Sequence, residues 1–511
     1  MLAKIITGAF SGSKGYLVRA EAALTKGLPF VNIVGMGDKA IKESVVRIRS
    51  SMMNQGFEFP RCRVTVNLSP AYINKRGSHF DLPVALAIIF AEKGMPKNLN
   101  DNWAFFGELS LDGKINPIRG LLPMVINLAE KGIKNIVVPG ENLREARLVK
   151  NVNIFSATHL GGVYGHLRGQ HQLEFFKNTK VIVSKEKNKN CPDYGQIYGQ
   201  EGAKRLMCIC AAGGHGAILV GSPGSGKTML AKALPTIMPD LSYEESVEIT
   251  KIYSVAGLLG GEEDFIVRER PFRMSHNTIT SAGLLGGGHE SMPGELSLAH
   301  GGVLFLDEVT LFRSGVIESL RQPMEEGRVL IKRKGETAVF PASPIVIMAC
   351  NPCKCGGGYD EEGRYVCSCS KSEKNRHLKK ISGAILDRID LFMEVEPVDY
   401  GSLTGRGKNI SSKTLKEKVV RAVEVQEKRF NSRKVHRNAH MNQEEIKEFC
   451  KLGRESRSFL ELAFKNLGLS ARSYFKIIKV GRTIADLEQS DQIKPEHLQE
   501  ACQYRRKEKF I

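Results

Sequence analysis

The sequence predicts an α/β protein in three parts, and three observations predict it. First, a glycine-rich octapeptide, Gly221-Ser222-Pro223-Gly224-Ser225-Gly226-Lys227-Thr228, stands between an apolar strand-like run, Ala217 to Val220, and a helical run. Second, strand-like and helix-like stretches alternate from about Tyr194 to Val398 with glycines at the turns, as a parallel sheet with helices on both faces requires. Third, the pattern from about Leu415 onward is helical throughout. The 511 residues are enough for two or three domains, each with its own core.

Residues 1–183 mix short apolar strands, "RVTVNLSP" and "KNIVVPG", with helical runs such as "DKAIKESVVRIRSSMMN", the pattern of an α+β domain. The lysine-rich "SKEKNKNCPDYGQ" that follows is a linker by composition. Residues 184–400 form the α/β core. The stretch "YGSLTGRGKNISSK" leads into the helical residues 401–511, with helices expected over "TLKEKVVRAVEVQEKRF", "NQEEIKEFCKL", "ARSYFKIIKVGRTIADLEQ" and "KPEHLQEACQYRRK".

Composition narrows the class. Hydrophobic residues at 42% and charged residues at 25% are ordinary for a globular protein. The longest apolar run, Leu82 to Ala91, is half a membrane span, so no membrane partner is expected. The start "MLAKIITGAF" has too short an apolar core for a secretory signal, and a cytoplasmic location is the expectation. Eleven cysteines without such a signal do not read as a disulfide framework. The formal net charge is +19, and residues 401–511 hold 25 Lys and Arg against 14 Asp and Glu, an excess of 11. Such a bias suits a polyanion, nucleic acid ahead of a membrane surface, although a solvated basic surface has the same composition.

The octapeptide carries the chemistry. Its glycines let backbone N–H groups curl around phosphate oxygens at a helix N-terminus. Lys227 would neutralise β- and γ-phosphate charge and Thr228 would ligate Mg²⁺. A second apolar strand in "GGVLFLDEV" ends in Asp307-Glu308. The first carboxylate is placed to hold the Mg²⁺ shell and the second to polarise attacking water. A third strand, "SPIVIMACN", ends in Asn351, a polar side chain placed to sense the nucleotide. Directly after it come Cys353-x-Cys355 and Cys367-x-Cys369. Four thiolates can close a tetrahedral structural Zn²⁺ site, but C-x-C is shorter than the usual C-x₂-C knuckle, and cysteine also serves as a small apolar filler. Between the second and third strands, "GRVLIKRKGETAVFPASP" has the pattern of a β-hairpin with Lys332, Arg333, Lys334 and Gly335 near its tip.

P-loop, "LFLDE" and strand-end asparagine in this order resemble an AAA+ ATPase. "RPFRMSHNTITSAGLLGGG", "PGELSLAHGGVLFLDEV", "SLRQPMEEG", "NPCKCGGGY" and "ISGAILDRIDLFMEV" narrow the resemblance to magnesium-chelatase-like AAA+ ATPases of the ComM/YifB type, over nearly the whole chain. Residues 1–183 resemble the Lon-type serine–lysine (S5-like) protease fold. The nucleophile slot falls near His79 and the lysine slot near Leu122, with Ser78 one position away, which implies a domain without protease chemistry. Residues 401–511 resemble a helical lid.

The resemblance implies ATP and Mg²⁺ as cofactors. It further implies Arg388 of "DRIDL" as an arginine finger reaching a neighbouring subunit, the alternative being a bridge to Asp387 or Asp390. Arg472 of "SARSYF" matches the second sensor arginine, and Asp193 to Gln200 match the segment near adenine. A finger acting in trans implies a homo-oligomeric ring, a hexamer. The basic hairpin and the glycine-rich "SAGLLGGGHESMPGE" would line its channel and grip a DNA backbone without reading sequence. The implied activity is branch migration of recombination intermediates during natural transformation. The alternative is a chelatase-like ATPase that remodels a protein partner.

Overall fold

The computed structural model describes residues 2–35, 39–177, 191–259, 265–288, 290–333, 336–359, 365–398, 409–431 and 437–505. The expected linker segments therefore lie largely outside the described residues, as do Lys334 and Gly335 at the hairpin tip.

The N-terminal part is built on an eight-stranded mixed sheet. Leu2–Ser11 and Lys14–Thr25 form a long antiparallel hairpin, extended on one side by Arg63–Ser69 and Phe30–Val34. On the other side Trp103–Phe105, Asn135–Pro139 and Asn153–Ala157 add in parallel, and Glu174–Lys177 closes the edge antiparallel. Helix Asp81–Lys93 carries the longest apolar run and is buried from Asp81 to Ala91. A helix apolar all round belongs inside a core, and no helix among the described residues is long and apolar enough to cross a membrane.

The central part is a five-stranded sheet in the order Phe272–Ser275, Val303–Leu306, Ile345–Cys350, Ala217–Val220, Leu391–Glu394. Every pairing is parallel. Its middle three strands are buried along their whole length, as expected when both faces are covered. The pleat divides their side chains. Leu219, Phe305 and Ile347 face the core shared with helices Glu201–Gly213 and Lys227–Ile237. Ile218, Leu304 and Met348 face the opposite core, with Val316, Ile317 and Ile385 from short helices.

The C-terminal helices Ser412–Phe430, Gln443–Phe449, Arg454–Asn466, Ala471–Leu487 and Pro495–Gln503 pack into the first of these cores, so lid and sheet share one apolar interior. Arg454–Asn466 is a helix the sequence reading omits. Leu460 is buried and Phe459, Ala463 and Leu467 are partly buried against the same core, at helical spacing.

The expected basic hairpin is present as Arg328–Arg333 paired antiparallel with Glu336–Pro341. Beside it, Gly286–Gly287 pairs with Met292–Pro293 in the glycine-rich insertion. A Cβ on Gly286 would lie 2.9 Å from Ile331 Cδ1, so the two hairpins touch. The first also packs on the N-terminal domain. Phe10 joins Val255, Ala338 and Phe340 in a small apolar cluster, and the Ser13 N–H donates to the Val339 carbonyl at 3.1 Å.

Candidate nucleotide site

Register sets the site. Val220 lies opposite Cys350, and Leu306 opposite Met348, so the residues that follow these strands emerge together at the carboxyl edge of the sheet. That edge is where open parallel sheets bind ligands. The octapeptide, Asp307-Glu308 and Asn351 all leave there, and the helix Lys227–Ile237 begins within the loop. Gly224 and Gly226 adopt positive φ (78° and 88°) with open space where a Cβ would lie, so conformation alone selects glycine. Gly221 is different: a Cβ would come within 2.3 Å of the Val395 carbonyl oxygen.

The Lys227 ammonium donates to the carbonyls of Gly221 (2.8 Å) and Ser222 (2.7 Å) and to Ser225 Oγ (3.3 Å). Burial pushes its pKa down, and Asp307 works against that. Thr228 Oγ1 donates to Asp307 Oδ2 at 3.3 Å, bringing together the two groups expected to share a Mg²⁺ shell. The other Asp307 oxygen accepts from the Glu308 N–H at 2.9 Å. Glu308 itself sits at φ 50°, ψ 44°, left-handed backbone that costs a non-glycine residue roughly 1–3 kcal/mol, and its side chain is exposed. A hydroxyl, a lysine, two carboxylates and a phosphate-sized turn of N–H groups suit Mg²⁺ and a nucleoside triphosphate by donor chemistry.

The Asp193-to-Gln200 segment packs against the P-loop and the helix that follows it. Tyr194 is fully buried, with its hydroxyl donating to the Leu230 carbonyl at 2.9 Å in the helix after the P-loop. Gln200 Nε2 donates to the Ser225 carbonyl at 3.4 Å. Behind the sheet edge, the buried His377 ring bonds Thr310 Oγ1 at 3.0 Å and also the Asn351 backbone. Sequence reasoning missed His377 and Thr310, because their contact joins segments 67 positions apart.

Arg388 lies elsewhere. It precedes Leu391, which pairs with Ala217, so it sits at the amino edge of the sheet, opposite its own P-loop. Its guanidinium pairs with Glu325 at 2.7 Å and donates to the carbonyls of Arg321 and Ala384. The partner is thus Glu325. Asp390 instead takes His215 at 2.8 Å and Lys476 at 2.7 Å; burial would raise its pKa, but the Lys476 ammonium and the His215 hydrogen bond hold it well below the usual carboxylate range. Arg472 is exposed on the first turn of Ala471–Leu487 and lines the same groove as Arg388, a space of about 1240 Å³ between sheet edge and lid. On the paired hairpins Lys332 is exposed and Arg333 donates to the Gly288 carbonyl.

In the N-terminal domain, His79 in the nucleophile slot is buried. Its Nε2 lies 3.1 Å from the Gly8 carbonyl oxygen and its ring 4.0 Å from Phe80. Leu122 is fully buried in a second apolar core, and Ser78 donates to Glu108. Lys75, also buried, donates to the Pro70 carbonyl, and burial pushes its pKa down to about 8.

The four clustered cysteines are brought together. Their sulfurs all lie within 4.8 Å of one another, next to the Asn351 strand end.

Comparison with known proteins agrees with this geometry. The family described as "Magnesium chelatase, subunit ChlI" matches residues 193–403, "Subunit ChlI of Mg-chelatase" residues 20–142, and "Magnesium chelatase, subunit ChlI C-terminal" residues 409–505. The chain is 38% identical over 510 residues to the Competence protein ComM of Haemophilus influenzae, covering 99% of this chain and 97% of that one. It is 37% identical over 508 residues to the YifB protein of Escherichia coli, with the same coverage. A shorter match, 27% over 161 residues, joins 31% of this chain to 23% of the magnesium-chelatase 67 kDa subunit of Chlorobaculum parvum. With a P-loop core, its acidic strand end and both flanking domains in place, the chain belongs to the ComM/YifB family of magnesium-chelatase-like AAA+ ATPases.

Proposed function

We propose that this ATPase is a ring motor on DNA, a branch migration helicase for recombination intermediates of the kind handled in natural transformation. One observation carries the reading: two hairpins lie side by side on the nucleotide-binding core, with Lys332 and Arg333 on the longer one. Cations on a paired hairpin grip phosphates without reading bases. The excess of 11 positive charges in residues 401–511 and the similarity to the Haemophilus competence protein support the same direction.

The parts divide the work as follows. The loop from Gly221 to Thr228 holds the triphosphate, Lys227 neutralises its outer charge, and Thr228 with Asp307 holds Mg²⁺. Glu308 polarises water, and Asn351 reports the γ-phosphate to the loop behind it. Four strand residues separate the two sheet edges, roughly 13 Å at strand rise, so Arg388 is out of reach of its own phosphates. It and Arg472 serve a neighbour's nucleotide, and a closed hexamer satisfies every site. The N-terminal domain, lacking a paired serine and lysine among its described residues, serves assembly or binding.

The test is a four-way junction incubated with protein, ATP and Mg²⁺. ATP-dependent conversion of the junction to its branch-migrated products, absent with Glu308→Gln, is the expected result. The shorter match to a magnesium-chelatase subunit favours a second reading, remodelling of a protein partner. An active ATPase that leaves every junction unchanged would favour it.

A further inference from the structure

The four cysteines sit on two arms of one excursion. Cys353 and Cys355 follow Asn351, and Cys367 and Cys369 return the chain to a helix, Lys371–Leu378. Between the arms, Gly358–Tyr359 pairs antiparallel with Tyr365–Val366, which aligns the two C-x-C pairs. Sulfur separations are 3.2 Å for Cys353–Cys355, 3.4 Å for Cys353–Cys367 and 3.5 Å for Cys355–Cys367. None of the four forms a disulfide among the described residues. A tetrahedron of Zn–S bonds of about 2.3 Å spaces its sulfurs at roughly 3.8 Å, so Cys353, Cys355 and Cys367 need only a few tenths of an ångström of expansion, and Cys369 lies within 4.8 Å of each of them. A filler role does not account for it: Cys355 is exposed and Cys367 and Cys369 are half-exposed, so three of the four fill no core.

The surroundings tie this cluster to the nucleotide loop. Gly356, between the first pair and the ribbon, has φ 85°, and a Cβ there would lie 3.0 Å from Pro223 Cγ in the P-loop. Ser370, directly after Cys369, caps the helix through a reciprocal pair with Glu373. That helix carries His377, which bonds Thr310, three residues after Asp307, and the Asn351 backbone.

We propose that Cys353, Cys355, Cys367 and Cys369 bind one structural Zn²⁺, and that the metal holds the loop after Asn351 against the P-loop, so that nucleotide affinity depends on it. The thiols give up four protons as Zn²⁺ enters, leaving a tetrathiolate of net charge −2. The coupling half rests on the nucleotide-site reading above; the metal half does not. Coupling is reciprocal, so bound nucleotide slows zinc loss by the factor that zinc tightens nucleotide.

The test uses full-length protein purified without chelator. Expected are one zinc per chain by mass spectrometry, a thiolate-to-metal charge-transfer band after Co²⁺ exchange, and loss of both in Cys355→Ser, the exposed ligand, and in Cys353→Ser with Cys369→Ser. Cys62→Ser keeps the metal. Titration with a fluorescent ADP analogue should weaken roughly tenfold on zinc removal. Four freely titrating thiols with no metal, or disulfides in their place, would overturn the metal site. One zinc per chain with unchanged ADP-analogue affinity would overturn the coupling alone. Zinc-loaded chain that binds no nucleotide at all would leave the metal standing and remove the nucleotide-site reading instead.

Discussion

Glu308 shows how much one residue can carry. Its backbone is left-handed although it is not glycine, and such strain persists where the surroundings enforce a functional geometry. Replacing its carboxylate by an amide keeps shape and removes the proposed base. Glu308→Gln should therefore lower ATP turnover by roughly 10²–10⁴-fold while nucleotide affinity stays within a few-fold, measured by steady-state hydrolysis and analogue titration. His79 makes the opposite case, a residue in a catalytic slot that does core work. Burial pushes its pKa down to about 4, against a Gly8 hydrogen bond. A base whose folded pKa is depressed contributes stability fully above its unfolded value, near 6.5, and loses it as pH falls toward 4. Asp81, two residues on, works the other way, since burial lifts its carboxyl to about 6 despite Arg47. The difference between chains isolates the histidine: the fall in melting temperature from pH 7 to pH 5 should be smaller in His79→Asn than in the parent. Equal falls would mean His79 titrates normally.

At the scale of elements, the legible parts were those with local grammar. The P-loop octapeptide, the strand ending in Asp307 and the hairpin around Lys332 each state their structure within a few residues, and each forms as read. Contacts between distant segments were not legible. Arg388 pairs with Glu325 across 63 positions rather than with Asp387 or Asp390 beside it. Helix Arg454–Asn466 had a readable apolar stripe, but its charged residues obscured it. The hairpin's seat on the N-terminal domain, Ser13 on Val339, links residues 326 positions apart. Phe340, fully buried there, is a lever on that seat. Phe340→Ala should cost about 3–5 kcal/mol locally and speed amide exchange at Ser13 relative to the P-loop helix. Uniform loss of protection across the chain would instead mean that the contact is not a separate unit.

The whole molecule is organised by two edges of one sheet. The proposed phosphate site lies at the carboxyl edge, and Arg388 and Arg472 share a groove with the amino edge, so on this reading a subunit alone holds half of each proposed site. Mixing tests this. Arg388→Ala has an intact P-loop, Lys227→Ala an intact finger, and each alone should be nearly inactive. A one-to-one mixture should regain hydrolysis if the finger acts between subunits, and should stay inactive if it acts within one. Sequence reading reached this division only through the resemblance, because which edge an arginine occupies depends on strand register. Salt dependence belongs to this scale too. Lys332→Ala and Arg333→Ala should each flatten the dependence of DNA affinity on salt by about one phosphate contact, without changing sequence preference.

The most direct measurement is steady-state ATP hydrolysis with no DNA, single strands, linear duplex and four-way junctions, at low and moderate salt, beside Glu308→Gln. A rate raised by strands or junctions, falling back as salt rises and absent in the variant, is what a DNA motor gives. A rate abolished by Glu308→Gln yet indifferent to every DNA would contradict it.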